Sequence, residues 1–357
     1  MSHSRKFLKT TQCFAVCLVL MFSCSASVTA QLEGKNQDVP VRITLKPDKK
    51  TIMLGEPLFF AFEVTNLSGE KLCLGVGGDY RNQFGRPDSF KVSVRSDDGT
   101  AIPQPEVSGH GGFIGCHPIE PGETYTVKLF LWHWAIIERT GSYRVNVQRR
   151  MGFSTYDGDN KNGPKYSMLA DVNAEFVVVA SEQNRMGGVI SSLGSIMLDS
   201  SDPRAADAAR SLAYIKDKRV ISYFAEALGK FRDAEFGFDE RNEYSIASQS
   251  IFALATYDDD SAIEALQAAM NSRSDDTRES VASAFCDSPH RSAIKLLLKM
   301  RNDNYWFVRL RVAQGLAKVK IKESRAVLHK LLKDEHEEVR KAAQESLNKI
   351  SQVQPAR

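Results

Sequence analysis

Two hydrophobic rhythms divide the chain. From Val41 to about Ala180, apolar residues recur at every second position in short runs. Val41-Arg-Ile-Thr-Leu45, Phe90-Lys-Val-Ser-Val-Arg95, Tyr125-Thr-Val-Lys-Leu-Phe-Leu-Trp132 and Tyr143-Arg-Val-Asn-Val147 alternate. Leu58–Val64, Lys71–Val76 and Phe176–Val179 bring the runs to seven, and turn residues such as Asn66, Gly69, Asp97, Gly99, Pro121 and Gly122 separate them. Alternation turns one side of a strand inward and the other to water. Seven such runs between turn clusters predict an all-β sandwich over residues 38–180. After Ser181 the period lengthens to about 3.6, that of a helix with one buried stripe. Here the chain repeats itself every 31 residues. Arg278, Arg309 and Arg340 fall in one column, preceded in step by Thr277, Val308 and Val339. Leu254, Phe285, Leu316 and Leu347 form a second column, and Leu266, Leu297 and Leu328 a third.

Each repeat reads as a helical hairpin. Ser261–Met270 is followed by Thr277–Phe285, Ser292–Met300 by Trp306–Val319, and Ser324–Leu332 by Val339–Ile350. The turns between them carry Asp or Asn, which cap the unpaired N–H groups of the next helix. In the last helix Val339, Ala343, Leu347 and Ile350 line one face only, so a lone hairpin cannot bury them and neighbours must stack. Two earlier units read as Asp202–Leu212 and as Val220–Leu228 with Tyr244–Leu254. In the latter the arginine column holds Ala247, and extra residues around Phe231–Arg241 lengthen the interval. The repeats are predicted over 203–351, with 181–202 either a linker or the first solenoid helix.

The stretch from Leu331 through Val339-Arg340 to Leu347 resembles a HEAT repeat. It is similar to the short class named for phycobilisome lyases, whose second helix opens on a Val-Arg pair, here Val339-Arg340, Val308-Arg309 and, in weaker form, Thr277-Arg278. The resemblance implies an α-solenoid that presents a broad surface to other proteins. It also implies that Arg278, Arg309 and Arg340 are structural, each pairing with an aspartate of a neighbouring turn such as Asp303 or Asp334. In the first half, Gly141-Ser142-Tyr143 resembles the tyrosine corner of immunoglobulin-like sandwiches, in which a phenol binds upstream backbone. Leu54-Gly-Glu-Pro57 and Pro121-Gly-Glu123 are similar to turns of bacterial immunoglobulin-like accessory domains, a resemblance that implies a binding or spacing module. The expected architecture is multidomain, all-β plus all-α: an immunoglobulin-like β-sandwich followed by a short α-solenoid of HEAT-like repeats.

The start of the chain changes where this architecture is placed. Arg5, Lys6 and Lys9 precede an apolar run, Phe14–Phe22, and small residues ending at Val28-Thr-Ala30. That is the three-part pattern of a secretory signal over 1–30. The run is shorter than the roughly 20 residues a bilayer crossing needs. A short anchor, or lipid attachment through Cys24, is the alternative. Removing those three cations from the 47 basic residues leaves 44, equal to the 44 acidic ones. A mature chain without net positive charge or basic block lacks the counter-ion-release drive toward nucleic acid. No later stretch is long and apolar enough to span a membrane. The chain is expected to be secreted or periplasmic.

Export also changes the reading of the cysteines. Cys13, Cys17 and Cys24 leave with the signal, and disulfides become permissible for Cys73, Cys116 and Cys286. Cys73 and Cys116 share the β half and are the natural pair; Cys286 falls in a helical apolar register, as a buried free thiol. His110, Cys116 and His117 crowd one glycine-rich loop, but their spacing matches no metal motif. The acidic loop from Asp157 lacks both the sixth-position Gly and the twelfth-position carboxylate of an EF-hand. No metal or cofactor is expected. No nucleophile elbow, His-Glu-x-x-His or phosphate-cradling loop occurs.

Tyr305 and Trp306 open a helix where this repeat class carries a polar residue and proline. Together with Phe236 and Phe238 of the inserted segment they are the candidate protein-binding residues, because aromatic side chains anchor interfaces. Packing between repeats is the alternative for Tyr305 and Trp306, and a flap over the solenoid's edge for Phe236 and Phe238. The expected function is a non-catalytic interaction scaffold that docks another protein. A surface-glycan-binding module on a scaffold, or a bilin lyase-like enzyme or chaperone, are the alternatives, the last disfavoured by export.

Overall fold

The computed structural model describes residues 40–77, 87, 89–106, 114–157, 160–161, 166–235, 241–318 and 322–352. Among them the chain runs β1 (Val41–Pro47), β2 (Thr51–Met53), β3 (Phe59–Asn66), β4 (Leu72–Gly77), β5 (Lys91–Ser96), β6 (Ile114–Ile119), β7 (Thr124–Phe130), β8 (Gly141–Asp157), β9 (Asn160–Lys161) and β10 (Tyr166–Val179). Helices follow: α1 (Gln183–Met197), α2 (Ala205–Tyr214), α3 (Val220–Phe231), α4 (Arg241–Ala255), α5 (Asp260–Ala269), α6 (Asp275–Asp287), α7 (Ala293–Lys299), α8 (Trp306–Leu316), α9 (Lys322–Leu331) and α10 (Glu337–Gln352).

The strands form two sheets. One has the order β1-β3-β7 and is antiparallel throughout; the other runs β2-β10-β8-β4-β6, with β5 and β9 also on β8. Alternation does what the pattern requires. Phe60, Phe62 and Val64 of β3 point inward, as do Val145 and Val147 of β8 and Val172, Phe176 and Val178 of β10. They merge into one core with Ile43, Leu74, Val92 and Val94. Rings meet across the layers edge to face, Phe60 on Phe176 at 5.9 Å and Phe62 on Phe90 at 5.1 Å. Tyr143 opens β8, and its hydroxyl donates to the Arg139 carbonyl at 2.7 Å.

Among the described residues ten strands stand where seven are expected, and the two largest differences have physical causes. β8 is 17 residues long and continues well beyond Val147, where the sequence pattern stops because Arg149 takes an inward position that alternation reserves for apolar residues. Its guanidinium lies 4.5 Å from the Phe90 ring centroid and 6.0 Å from that of Phe62, a desolvated cation on aromatic faces. Ile114–Ile119, part of which reads as a glycine loop, is an edge strand on β4. Pro118 is tolerated there because an edge strand leaves one row of backbone groups unpaired.

The helices stack as hairpins, α1/α2 through α9/α10. The second helices α2, α4, α6, α8 and α10 lie side by side, and a single core runs from Met186 to Ile350. Close approach depends on small residues. A Cβ at Gly194 of α1 would run into the Tyr223 ring of α3, and one at Gly315 of α8 into Cys286 and Leu297. Residues 183–197, the segment open between linker and helix, are therefore a helix packed on α3.

This core does not stop at the helices. Met53 of β2 belongs to it and Val179 of β10 packs against it. Phe130 meets Tyr214 of α2 edge to face at 4.8 Å, and Lys128 bonds Asp207 at 2.8 Å. The β half thus covers the outer side of the first hairpin. At the other end the outer side of α10 is polar, with Glu337, Glu338, Lys341, Gln344 and Glu345 exposed. Among the described residues no helix is long and apolar enough to cross a membrane.

Candidate functional site

The arginine column runs along the turns of the downstream hairpins, and Arg278 and Arg309 do the same work in successive units. Arg309 extends Nη1 back to the carbonyls of Asp303 and Asn304, at 2.8 and 3.1 Å. Its Nε and Nη2 reach forward to both oxygens of Asp334, at 2.7 and 2.9 Å, and Nη2 also meets Glu335 at 3.0 Å. Arg278 repeats this one unit earlier: carbonyls of Ser272 and Arg273 behind it, Asp303 ahead at 2.9 and 3.1 Å, and Asn304 at 2.7 Å. Arg340 holds the carbonyls of Asp334 and Glu335, both at 2.8 Å. The geometry follows from arginine's planar fork, which serves two carbonyls and a bidentate carboxylate at once.

Each aspartate has a second task. Asp303 accepts from the Tyr305 amide and Asp334 from the His336 amide, both at 2.9 Å, at the start of the next helix. Burial works against ionisation of Asp334, but the Arg309 guanidinium and the His336 amide outweigh it and hold the carboxyl below its usual value. The Asp303 hydrogen bond raises Arg278, and the Asp334 hydrogen bond raises Arg309, each against a smaller opposing effect of burial. Both side chains of the Arg309–Asp334 pair are nearly buried, at 9% and 7% exposure. At Ala247 the rung is missing, and its partner position 25 residues on holds Ser272. Ser272 instead donates to Asp233 and the Arg232 carbonyl, while Asp233 accepts from the Arg273 amide.

Tyr305 and Trp306 start α8 beside these rungs. Both are half-buried and pack against the helical core. The Trp306 ring lies flat on His336, centroids 3.7 Å apart and planes within 6°. Phe307 contacts Trp306 at 4.7 Å and carries the Arg311 guanidinium 5.2 Å from its centroid. Tyr305 borders a polar recess of about 300 Å³ with Glu235, Arg273, Ser274, Asp275 and Asp276. Burial, then the charges of Asp275 and Glu235, push the Asp276 carboxyl above its ordinary value. Phe236 and Phe238 lie outside the described residues. Phe307 was not singled out by the sequence, although its position beside two aromatics was a usable signal.

Away from the array, Cys73 on β4 and Cys116 on β6 face each other with Cα atoms 5.6 Å apart, the separation a disulfide requires. Cys286 is half-buried rather than buried; desolvation pushes its thiol to about 11, and its Sγ contacts the Ala282 carbonyl at 3.1 Å. His117 stacks at a tilt against Tyr125 with ring centroids 4.5 Å apart, and His110 lies outside the described residues. Among the described residues no three His, Cys, Asp or Glu side chains gather as a metal site.

A profile of HEAT repeats matches residues 294–356. The last two hairpins, α7 to α10, thus resemble HEAT repeats, and the helical half is a repeat array of that kind of hairpin. Solved structures with partial similarity include human deoxyhypusine hydroxylase in complex with glycerol, at 16% identity over 46% of this chain and 75% of that one, TM-score 0.29. Phycocyanin lyase from Nostoc, a two-protein complex, gives 18% identity over 45% and 99%, TM-score 0.35. A designed armadillo repeat protein in complex with the peptide (KR)4 gives 18% identity over 46% and 83%, TM-score 0.32. No curated protein matches the sequence.

Proposed function

We propose that this protein is an exported, non-catalytic scaffold whose HEAT-like array docks another protein. The observation that carries the reading is the array itself: five stacked hairpins with one continuous core, whose turn edge is fixed by guanidinium rungs and bears the Tyr305–Trp306–Phe307 group. A rigid, extended surface loses little entropy on binding. The half-exposed Tyr305 and Phe307 are the contact candidates on it, while Trp306 is committed to His336. In the same reading the β half is an immunoglobulin-like sandwich, supported by the Tyr143–Arg139 hydrogen bond and the two-sheet core, and Cys73–Cys116 is a formed disulfide, as export permits.

The test is site-directed photo-crosslinking in the source cells, with the reactive residue placed at Phe307 and, as a control, at Arg144 on the outer side of β8. One protein captured at Phe307, lost on Tyr305→Glu and absent from Arg144, supports the proposal. Capture from both positions alike, or none at Phe307, overturns it. Point substitutions are preferable to deleting the helices, because Met53 and Val179 would lose their cover. Export is checked separately, by mass measurement of the mature chain for cleavage after Ala30.

A further inference from the structure

Charge is unevenly spread over the helical half. Lys295 and Lys299 lie on α7, Arg325 and Lys330 on α9, and Lys333 just beyond α9. These residues form no block in the sequence; the fold gathers them. α7 and α9 are the first helices of successive hairpins, and the 31-residue interval puts Lys330 in the place of Lys299. Leu296 and Leu297 of α7 and Leu328 and Leu331 of α9 are buried, which turns the opposite arc of each helix to solvent. Lys295, Lys299, Arg325 and Lys330 occupy that arc, and all five cations are exposed.

These cations are uncompensated. Exposed cations elsewhere have acidic partners, as Lys128 has Asp207, Lys218 has Asp259 and Lys341 has Glu337. None of the five has an ion-pair partner among the described residues. Glu323 is the one acid on either helix. Arg291, just before α7, shares a recess with Asp258 and Asp260 and bounds the face on that side. Beside the cations, Ile294, Leu298, Val327 and Leu332 are half-buried at the rim of the core.

The side chains present select among anionic partners. Neither helix carries Phe, Tyr or Trp, the platforms on which unpaired bases stack. Four of the five cations are lysines, compact charges on flexible stems, whereas a fixed carboxylate favours the arginine fork. Flexible cations beside an aliphatic border match interchangeable headgroups above acyl chains.

We propose that the outer face of α7 and α9 binds the surface of an anionic lipid bilayer, with Lys295, Lys299, Arg325, Lys330 and Lys333 among its headgroups. This goes beyond the docking reading and uses none of Tyr305, Trp306 or Phe307, so either can fail without the other.

The experiment is co-sedimentation of the full chain with vesicles of phosphatidylglycerol and phosphatidylcholine in equal parts, beside vesicles of phosphatidylcholine alone. Binding to the anionic vesicles only, weakened by salt, is expected. Reversing Lys295, Lys299 and Lys330 together to Glu should weaken it by about a hundredfold or more, with circular dichroism confirming the fold. The same three positions changed to Arg should keep it. Lys50, Lys91 and Lys216, exposed elsewhere, changed together to Glu alter net charge equally and should leave it nearly intact. No binding, equal binding to phosphatidylcholine, or equal losses in the two reversed variants overturns the proposal. Displacement of the vesicles by polyglutamate or duplex DNA at equal charge concentration also overturns it, and makes the face a site for a soluble polyanion.

Discussion

The two ends of the helical array solve the same stacking problem differently. Downstream, Arg278 of α6 and Arg309 of α8 each tie their own turn to the next, through carbonyls behind and an aspartate ahead, and Arg340 of α10 holds the carbonyls of its own turn. Upstream, from α1 to α5, the column holds Ala247 and its partner position Ser272; there Gly194 admits Tyr223, and the β half covers the first hairpin. The difference teaches that the rung is a replaceable unit. Arginine and aspartate are absent together at Ala247 and Ser272, as expected when losing one alone would strand a buried charge but losing both costs little.

Breaking one rung is the severest test of that comparison. Asp334→Ala leaves Arg309 buried without its carboxylate and should cost ~3–5 kcal/mol. Arg309→Met combined with Asp334→Leu should recover most of the loss, because it reproduces the rungless state of Ala247 and Ser272. Chemical denaturation followed by helical circular dichroism measures both. If the double variant is as unstable as the single, the rung is not replaceable and the two ends differ for another reason.

Closeness of packing is the feature the two ends share, and the next largest effect. Gly194→Ala upstream and Gly315→Ala downstream each force a methyl group into an occupied site and should destabilise by ~1–3 kcal/mol. Equal losses, read from the same denaturation curves, would show that both ends are packed to the same tolerance. A loss at Gly315 alone would mean that Tyr223 swings aside and the upstream end is the looser.

Acid should separate the ends more gently. The folded Asp334 carboxyl lies below its ordinary value. Its stabilising contribution is thus complete above the unfolded value, about 4, and is lost as pH falls through the lower folded value. Asp334→Asn removes this proton uptake, so stability of that variant should fall less steeply with acid than that of the parent. A matching slope in denaturation midpoints below about pH 4 would remove Asp334 from the account.

What the sequence disclosed follows the same division. Every downstream hairpin meets a copy of itself, so each must repeat its contacts, and columns such as Val308/Val339 and Arg309/Arg340 stand out at a constant interval. Upstream, the first hairpin meets β2 and β10 instead, and the interval breaks between Leu212 and Leu254. In the β half, alternation marked most inward positions but failed at Arg149, whose place between Phe62 and Phe90 depends on strands distant in sequence. β6 escaped notice because Gly115, Cys116 and Pro118 read as loop residues; its pairing with β4 is what makes it a strand. The stacking of Trp306 on His336 joins two repeats and leaves no local pattern.

The junction between the halves supplies the finest distinction, and its ion pair the smallest effect. Lys128 and Asp207 bridge β7 and α2, but at 55% and 27% exposure the pair is largely solvated. Asp207→Asn should therefore change stability by no more than ~1 kcal/mol, and less at high salt, where exposed charges are screened. Met53→Ala removes a side chain that is 1% exposed and shared with the helical core, and should cost ~2–5 kcal/mol. If the two halves are joined by apolar burial, Met53→Ala lowers the unfolding midpoint of strands and helices together while Asp207→Asn barely moves either. The reverse order would make the ion pair the true joint, and would leave the first hairpin covered by charge rather than by the sheet.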